Sequence, residues 1–210
     1  MKRIISIFIA LTAISVSSMA QTEKGKVLLG GYFDFSTTKK NNETKSITNF
    51  GINPTAGFFV SDNLVIGTGV GFTHSSYPQN DVINDINTVY QQKTNSIRIS
   101  PFGRYYVGIT PQIKFFGHLE ASVNWSKFKA DGLPGKVIED SNIKSNFYSV
   151  SLSPGFAIFP SKKIGIELSL SGFYFSKQNW KSQDVKISGD KTFGFGSDFF
   201  NPRLGIQFYL

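Results

Sequence analysis

The stretch LSPGFAIFP (152–160), a turn at Pro160 to Lys163, and the run KIGIELSLSGFYF (163–175) decide the fold. Tyr148, Val150, Leu152, Pro154, Phe156 and Ile158 alternate with Ser149, Ser151 and Ser153. After the turn, Ile164, Ile166, Leu168 and Leu170 alternate with Glu167, Ser169 and Ser171. A period of two sends successive side chains to opposite faces of a strand, so the two runs form a hairpin with one apolar and one polar face.

The same plan recurs along the chain. INPTAGFFV around Pro54, ISPFGRYYV around Pro101 and FNPRLGIQFYL around Pro202 repeat the Asn/Ser-Pro opening, and the four prolines lie 47, 53 and 48 residues apart. Turn residues follow the first two, at Ser61-Asp62-Asn63 and from Gly108 to Pro111, and lead into NLVIGTGVGF (63–72) and QIKFFGHLEASVNW (112–125). With a first strand at Val27 to Ser36, the count is eight strands, joined alternately by short turns and long polar loops. The loops expected are 37–46, about 74–94, the segment between the fifth and sixth strands, and about 176–191. A repeat near fifty residues also suits a β-propeller, but a blade holds four strands. Here each unit has two runs of about ten residues, the length of a tilted membrane strand.

The faces are consistent throughout. Phe50, Ile52, Pro54, Ala56 and Phe58 oppose Asn49, Gly51, Asn53, Thr55 and Gly57, and Ile66, Val70 and Phe72 oppose Gly67, Gly69 and Gly71. Phe35, Phe50, Phe72, Trp125, Tyr148 and Tyr174 fall beside the long loops, and Phe58, Tyr105, Phe115 and Phe208 beside the short turns. Two aromatic bands are what a membrane barrel places at its interfaces. The mean hydropathy of −0.10 is that of a soluble chain, because lipid-facing and inward residues cancel in any window. The prolines conflict with regular pairing, since Pro cannot donate to the ladder, and a bulge is expected at each.

The first twenty residues read as a secretory signal: Lys2-Arg3, an apolar core from Ile4 to about Val16, and Ser18-Met19-Ala20 before a mature start at Gln21. Residues 21–210 are then one barrel domain. Without Cys there is no disulfide or thiolate metal site. The net charge of +8 falls to +6 on losing Lys2 and Arg3. The basic residues form no stripe suited to nucleic acid, so anionic membrane surface is the better counterpart.

The signal, the eight strands, the repeated Asn/Ser-Pro and the terminal LGIQFYL together resemble the small outer-membrane β-barrel domain family common in the Bacteroidota, similar in architecture to OmpA-like and OmpX-like barrels. The resemblance implies an all-β, eight-stranded antiparallel up-and-down transmembrane β-barrel in the bacterial outer membrane. It also implies that the last strand is the sorting signal read by the barrel-assembly machinery. Leu204, Ile206, Phe208 and Leu210 match that alternation, with Leu210 where the family usually ends in Phe.

The three arginines of the mature chain, Arg98, Arg104 and Arg203, all fall on the inward phase, as do Asp34, Glu120, Glu167 and His118. A hairpin centred near Ile109 would set Arg98 opposite Glu120, and a two-residue register shift would set Ser100 there instead. An eight-stranded barrel has room only for its own side chains, so these residues are expected to fill the lumen as a structural network, a solid polar core without cofactor, metal or catalytic site. The alternatives are a small porin-like channel lined by the same arginines and a lipid A-modifying acyl hydrolase or transferase using Thr73-His74-Ser75-Ser76 or His118-x-Glu120. The loops carry more Lys than Asp or Glu, as expected where they meet lipopolysaccharide, and Trp180, Tyr77 and Tyr90 are candidate anchors for an external or envelope protein partner. The role expected is structural and interactive.

Overall fold

The computed structural model describes residues 21–39, 45–83, 86–131, 143–182, 185–196 and 203–210. The segment read as a signal sequence lies outside them, as does Pro202. The strands are β1 (Val27–Thr38), β2 (Ile47–Ser61), β3 (Leu64–Ile83), β4 (Ile86–Gly108), β5 (Ile113–Asp131), β6 (Ile143–Ile158), β7 (Ile164–Ser169), β8 (Phe173–Ser182), β9 (Val185–Phe195) and β10 (Arg203–Tyr209). They form eight staves, because β7 and β8 both pair with β6 along its length and their partners β10 and β9 make up the last stave. Every pairing is antiparallel, and β10 returns to β1 through Leu28↔Tyr209 and Leu29↔Phe208 to close the barrel. Two bonds between Val27 and Leu210, at 2.8 and 2.9 Å, complete that short seam.

The alternation read from the sequence is the alternation of the barrel wall. Ile52, Ile66, Val70, Ile97, Ile99, Leu119, Val150, Leu152, Phe156, Ile206 and Phe208 are exposed on the outside, while Leu28, Phe59, Val65, Tyr106, Phe116 and Tyr209 are buried within. An apolar band of this extent needs an apolar medium around it. The aromatics Phe35, Phe72, Trp125 and Tyr148 at one end and Phe58, Tyr105 and Phe208 at the other are exposed on it.

Four expectations need correction. The long polar loops are largely strand: β3 runs 20 residues and β4 23, so the segment 74–94 is a hairpin standing well beyond the membrane span, and β8 and β9 make another of 176–191. Polarity marked where the apolar medium ends, not where the ladder ends.

The seventh stave is not one run. Gly155↔Ser169 and Leu152↔Phe173 bracket Leu170, Ser171 and Gly172 opposite only Ser153 and Pro154, a bulge that reverses the facing phase. Phe173 and Phe175 therefore point outward, and Tyr174 faces inward rather than joining the aromatic band. Gly172 is required there, since a Cβ would fall 2.0 Å from the Leu152 carbonyl oxygen.

Bulges do not accompany every proline. At Pro54 and Pro101 the register resumes unshifted after the gap in pairing, and only Pro154 faces a bulge. All three interrupt the ladder toward the strand across the short turn and leave the other ladder intact. Opposite Pro54 stands Gly31 with φ +141, where a Cβ would lie 2.3 Å from the Asn53 carbonyl oxygen.

Finally, the β4–β5 turn centres two residues later than expected, so Arg98 lies opposite Asn124 and Glu120 opposite Phe102.

Candidate functional site: the lumen and its short-turn mouth

Doubled aromatics at the short-turn end build the bottom of the lumen. In Phe58-Phe59, Tyr105-Tyr106, Phe115-Phe116 and Phe208-Tyr209, alternation sends one ring to the outer belt and its neighbour inward. Phe59 and Phe116 are fully buried, and Tyr106 and Tyr209 are 1 % and 0 % exposed. Tyr209 meets Phe159 edge to face at 5.0 Å, and Tyr106 contacts Phe59, Phe116 and Tyr209 at centroid distances of 5.9, 5.6 and 6.4 Å. The expected solid polar core is thus corrected: at this end it is an aromatic plug with charges set into it. The doublets carried that signal: their outer members make the belt, and alternation sends the others inward.

The charges occupy the plug's upper side. Glu167, 2 % exposed, accepts two hydrogen bonds from Arg104 Nη1, at 2.6 and 2.7 Å, and one from the Tyr209 hydroxyl at 2.7 Å. The Tyr106 hydroxyl accepts from Arg104 Nη1 at 3.0 Å and lies 3.2 Å from Glu167 Oε1. Arg104 lies over the Phe116 ring at 4.5 Å, so the guanidinium is held by carboxylate, hydroxyl and π-face together. Arg104 Nε donates to His118 Nδ1 at 3.1 Å, and His118 Nε2 stands 3.9 Å from Glu120. Glu120 in turn pairs with Arg98, which reaches it diagonally from its position opposite Asn124.

Five of the seven lumen residues read from the sequence therefore form one chain: Arg98, Glu120, His118, Arg104 and Glu167. Asp34 stands apart. It lies on the inner face but is exposed at the long-hairpin end, over Gly51, and pairs with no cation among the described residues. The Arg203 side chain lies outside the described residues. The last-strand residues Leu204, Ile206, Phe208 and Leu210 are all exposed.

Below the plug residues 21 and 22 cross the mouth, a feature the sequence did not announce. Gln21 and Thr22 are buried. Gln21 Nε2 donates to the Ser161 carbonyl at 3.2 Å, and the Thr22 hydroxyl donates to Asn63 Oδ1 at 2.6 Å. Lys114 donates to both Thr22 and Asn63, and the Asn63 amide donates to the Thr22 carbonyl at 2.6 Å. One dipeptide so ties two of the short turns to the start of β5. Asn63 takes φ 64, a conformation Asn tolerates better than most residues.

The histidines considered for acyl chemistry find other partners. His74 Nδ1 lies 2.7 Å from Asn95 Oδ1, and Ser76 accepts from Gln91 Nε2 at 2.8 Å. Trp180, considered as a partner anchor, packs on Phe128 at 5.2 Å.

A closed antiparallel barrel with an apolar exterior and an ion-paired interior defines a membrane-spanning β-barrel. Residues 6–199 match the outer membrane protein beta-barrel domain, and the chain belongs to that family. It is accordingly a protein of the bacterial outer membrane. The crystal structure of the outer membrane protein OprG from Pseudomonas aeruginosa is similar at 14 % identity, covering 91 % of this chain and 99 % of that one, with a TM-score of 0.51. Escherichia coli outer membrane protein W shares 14 % identity over 89 % of this chain and 97 % of its own, at TM-score 0.41. Ail of Yersinia pestis shares 14 % over 89 % and 99 %, at 0.37. Among curated proteins no sequence matches the chain. At this identity OprG supports the fold alone.

Proposed function

We propose that this protein is a non-enzymatic, non-conducting surface barrel, with the short turns in the periplasm and the hairpin arms outside as its interaction elements. The observation that carries this reading is the plug: Phe59, Tyr106, Phe116 and Tyr209 leave no exposed surface to speak of, and the Arg104–Glu167 pair spans the lumen above them. A channel needs a continuous wet path, and a charge pair bonded to two tyrosines over closely packed rings offers none. The lumen network Arg98, Glu120, His118, Arg104 and Glu167 is then a structural element of the wall. Among the described residues neither His74 nor His118 has a hydrogen bond to a serine hydroxyl, which leaves an acyl-transfer reading without support.

Planar-bilayer recording tests the proposal. The wild-type barrel is expected to show no resolvable conductance steps, whereas the triple variant Phe59→Ala, Phe116→Ala, Phe159→Ala is expected to conduct. Discrete steps from the wild type would refute the reading and restore the channel.

A further inference from the structure

The strand register places lysines directly opposite lysines. Lys127 of β5 faces Lys144 of β6, which faces Lys181 of β8, and Lys177 of β8 faces Lys191 of β9. On the neighbouring ladder Lys93 faces Lys129. Directly opposed residues share a face with Cβ atoms only about 5 Å apart, and like charges there repel. Four adjacent ladders carry such pairs, and Lys127, Lys144 and Lys191 are exposed.

The height and side of these lysines narrow what could offset the repulsion. Lys127 follows Trp125 by two residues on the same face, Lys177 follows Phe175, and Lys191 precedes Phe193. Trp125, Phe175 and Phe193 are exposed on the outer wall, so the ammonium groups lie one step above the apolar band, where lipid headgroups begin. The opposed lysine pairs are on one side. At the corresponding outer positions β2 and β3 carry Thr48, His74 and Ser76. Among the described residues no carboxylate forms an ion pair with Lys127, Lys144, Lys177 or Lys191.

We propose that the outer face of β5, β6, β8 and β9 is a binding surface for the phosphate groups of a phosphorylated glycolipid of the outer leaflet. A phosphate seated between two opposed ammonium groups turns a repulsive pair into two charge-assisted hydrogen bonds, while the acyl chains lie on Phe175, Phe193 and Trp125 beneath. The inference rests on the orientation proposed above, with the hairpin arms outside.

The test compares the mature chain with the surface variant Lys127→Gln, Lys144→Gln, Lys177→Gln, Lys191→Gln. A control, Lys24→Gln, Lys26→Gln, Lys162→Gln, Lys163→Gln, removes the same charge at the short-turn end. Bisphosphorylated lipid A, fully dephosphorylated lipid A and heparin are the probes, with binding read by native mass spectrometry from detergent. Wild type and control are expected to bind bisphosphorylated lipid A at least about tenfold more tightly than the surface variant, and the dephosphorylated form no better than that variant does. Equal binding by the two variants, or loss of phosphate dependence, would overturn the site. Heparin bound more tightly than lipid A, with the same lysine dependence, would assign the surface to a soluble polyanion and overturn it too. Trypsin added to intact cells is expected to cut the hairpin arm at 177–191. Protection there alongside retained lipid A binding would overturn the orientation and this proposal with it, while leaving the conductance result untouched.

Discussion

Replacing Glu167 by Gln tests how the charges are held inside the barrel. The amide has nearly the same shape, so packing against Tyr106 and Tyr209 persists, but Arg104 is left without its carboxylate in a site where the two side chains are 9 % and 3 % exposed. Breaking a buried pair by removing one member costs about 3–5 kcal/mol, because the remaining charge is uncompensated. Two terms reduce this: the amide oxygen still accepts one hydrogen bond, and the Phe116 ring at 4.5 Å still faces the guanidinium. One term adds to it, since the Tyr209 hydroxyl loses a charged acceptor at 2.7 Å. The net expectation is a loss of about 3 kcal/mol. The double variant Arg104→Met, Glu167→Leu removes both charges, and because Tyr106 and Tyr209 still bond each other at 3.0 Å it is expected to lie within about 1.5 kcal/mol of wild type. Urea unfolding from lipid vesicles, followed by the fluorescence of Trp125 and Trp180, measures both, and a double-mutant cycle with each single variant isolates the coupling. A Glu167→Gln loss below about 1 kcal/mol, or a double variant as unstable as the sum of its singles, would refute the argument that this pair is buried and mutually dependent.

Arg98→Ala should cost much less than Arg104→Ala, about 1 kcal/mol, and its effect should shrink in high salt, because the Arg98 and Glu120 side chains retain 28 % and 21 % exposure. Phe59→Ala should cost about 3–5 kcal/mol by leaving a cavity in the plug, read in the same urea assay. Gly31→Val should lose at least about 1–3 kcal/mol and slow assembly, because its φ of +141 is strained for any side chain and the new Cβ would meet the Asn53 carbonyl. Heat modifiability on gels reports whether that variant still closes, and wild-type stability from it would count against the backbone geometry at Pro54.

Much of the wall was legible in the order of residues. The recurring Asn/Ser-Pro hairpin, the eight staves and the outward set from Ile52 to Phe208 follow from a period of two, which is a local property each strand displays whatever lies beside it. The inward phase of Arg98, Arg104, Glu120, Glu167 and His118 was equally local. The doublets Phe58-Phe59 and Tyr105-Tyr106 contained the plug as well, once each pair is divided between the two faces.

Which inward groups meet is a different kind of information. Arg104 finds Glu167 across 63 residues of chain, and Arg98 reaches Glu120 diagonally, because the turn at 109–112 sets the β4–β5 register and no alternation encodes a turn's centre. The phase reversal at Gly172, the lysines brought face to face across four ladders, and the bonding of Gln21 and Thr22 to two short turns and to Lys114 of β5 arise only when separate strands are laid side by side. A strand's own residues settle which face each side chain occupies; the pairing of distant strands settles its neighbours.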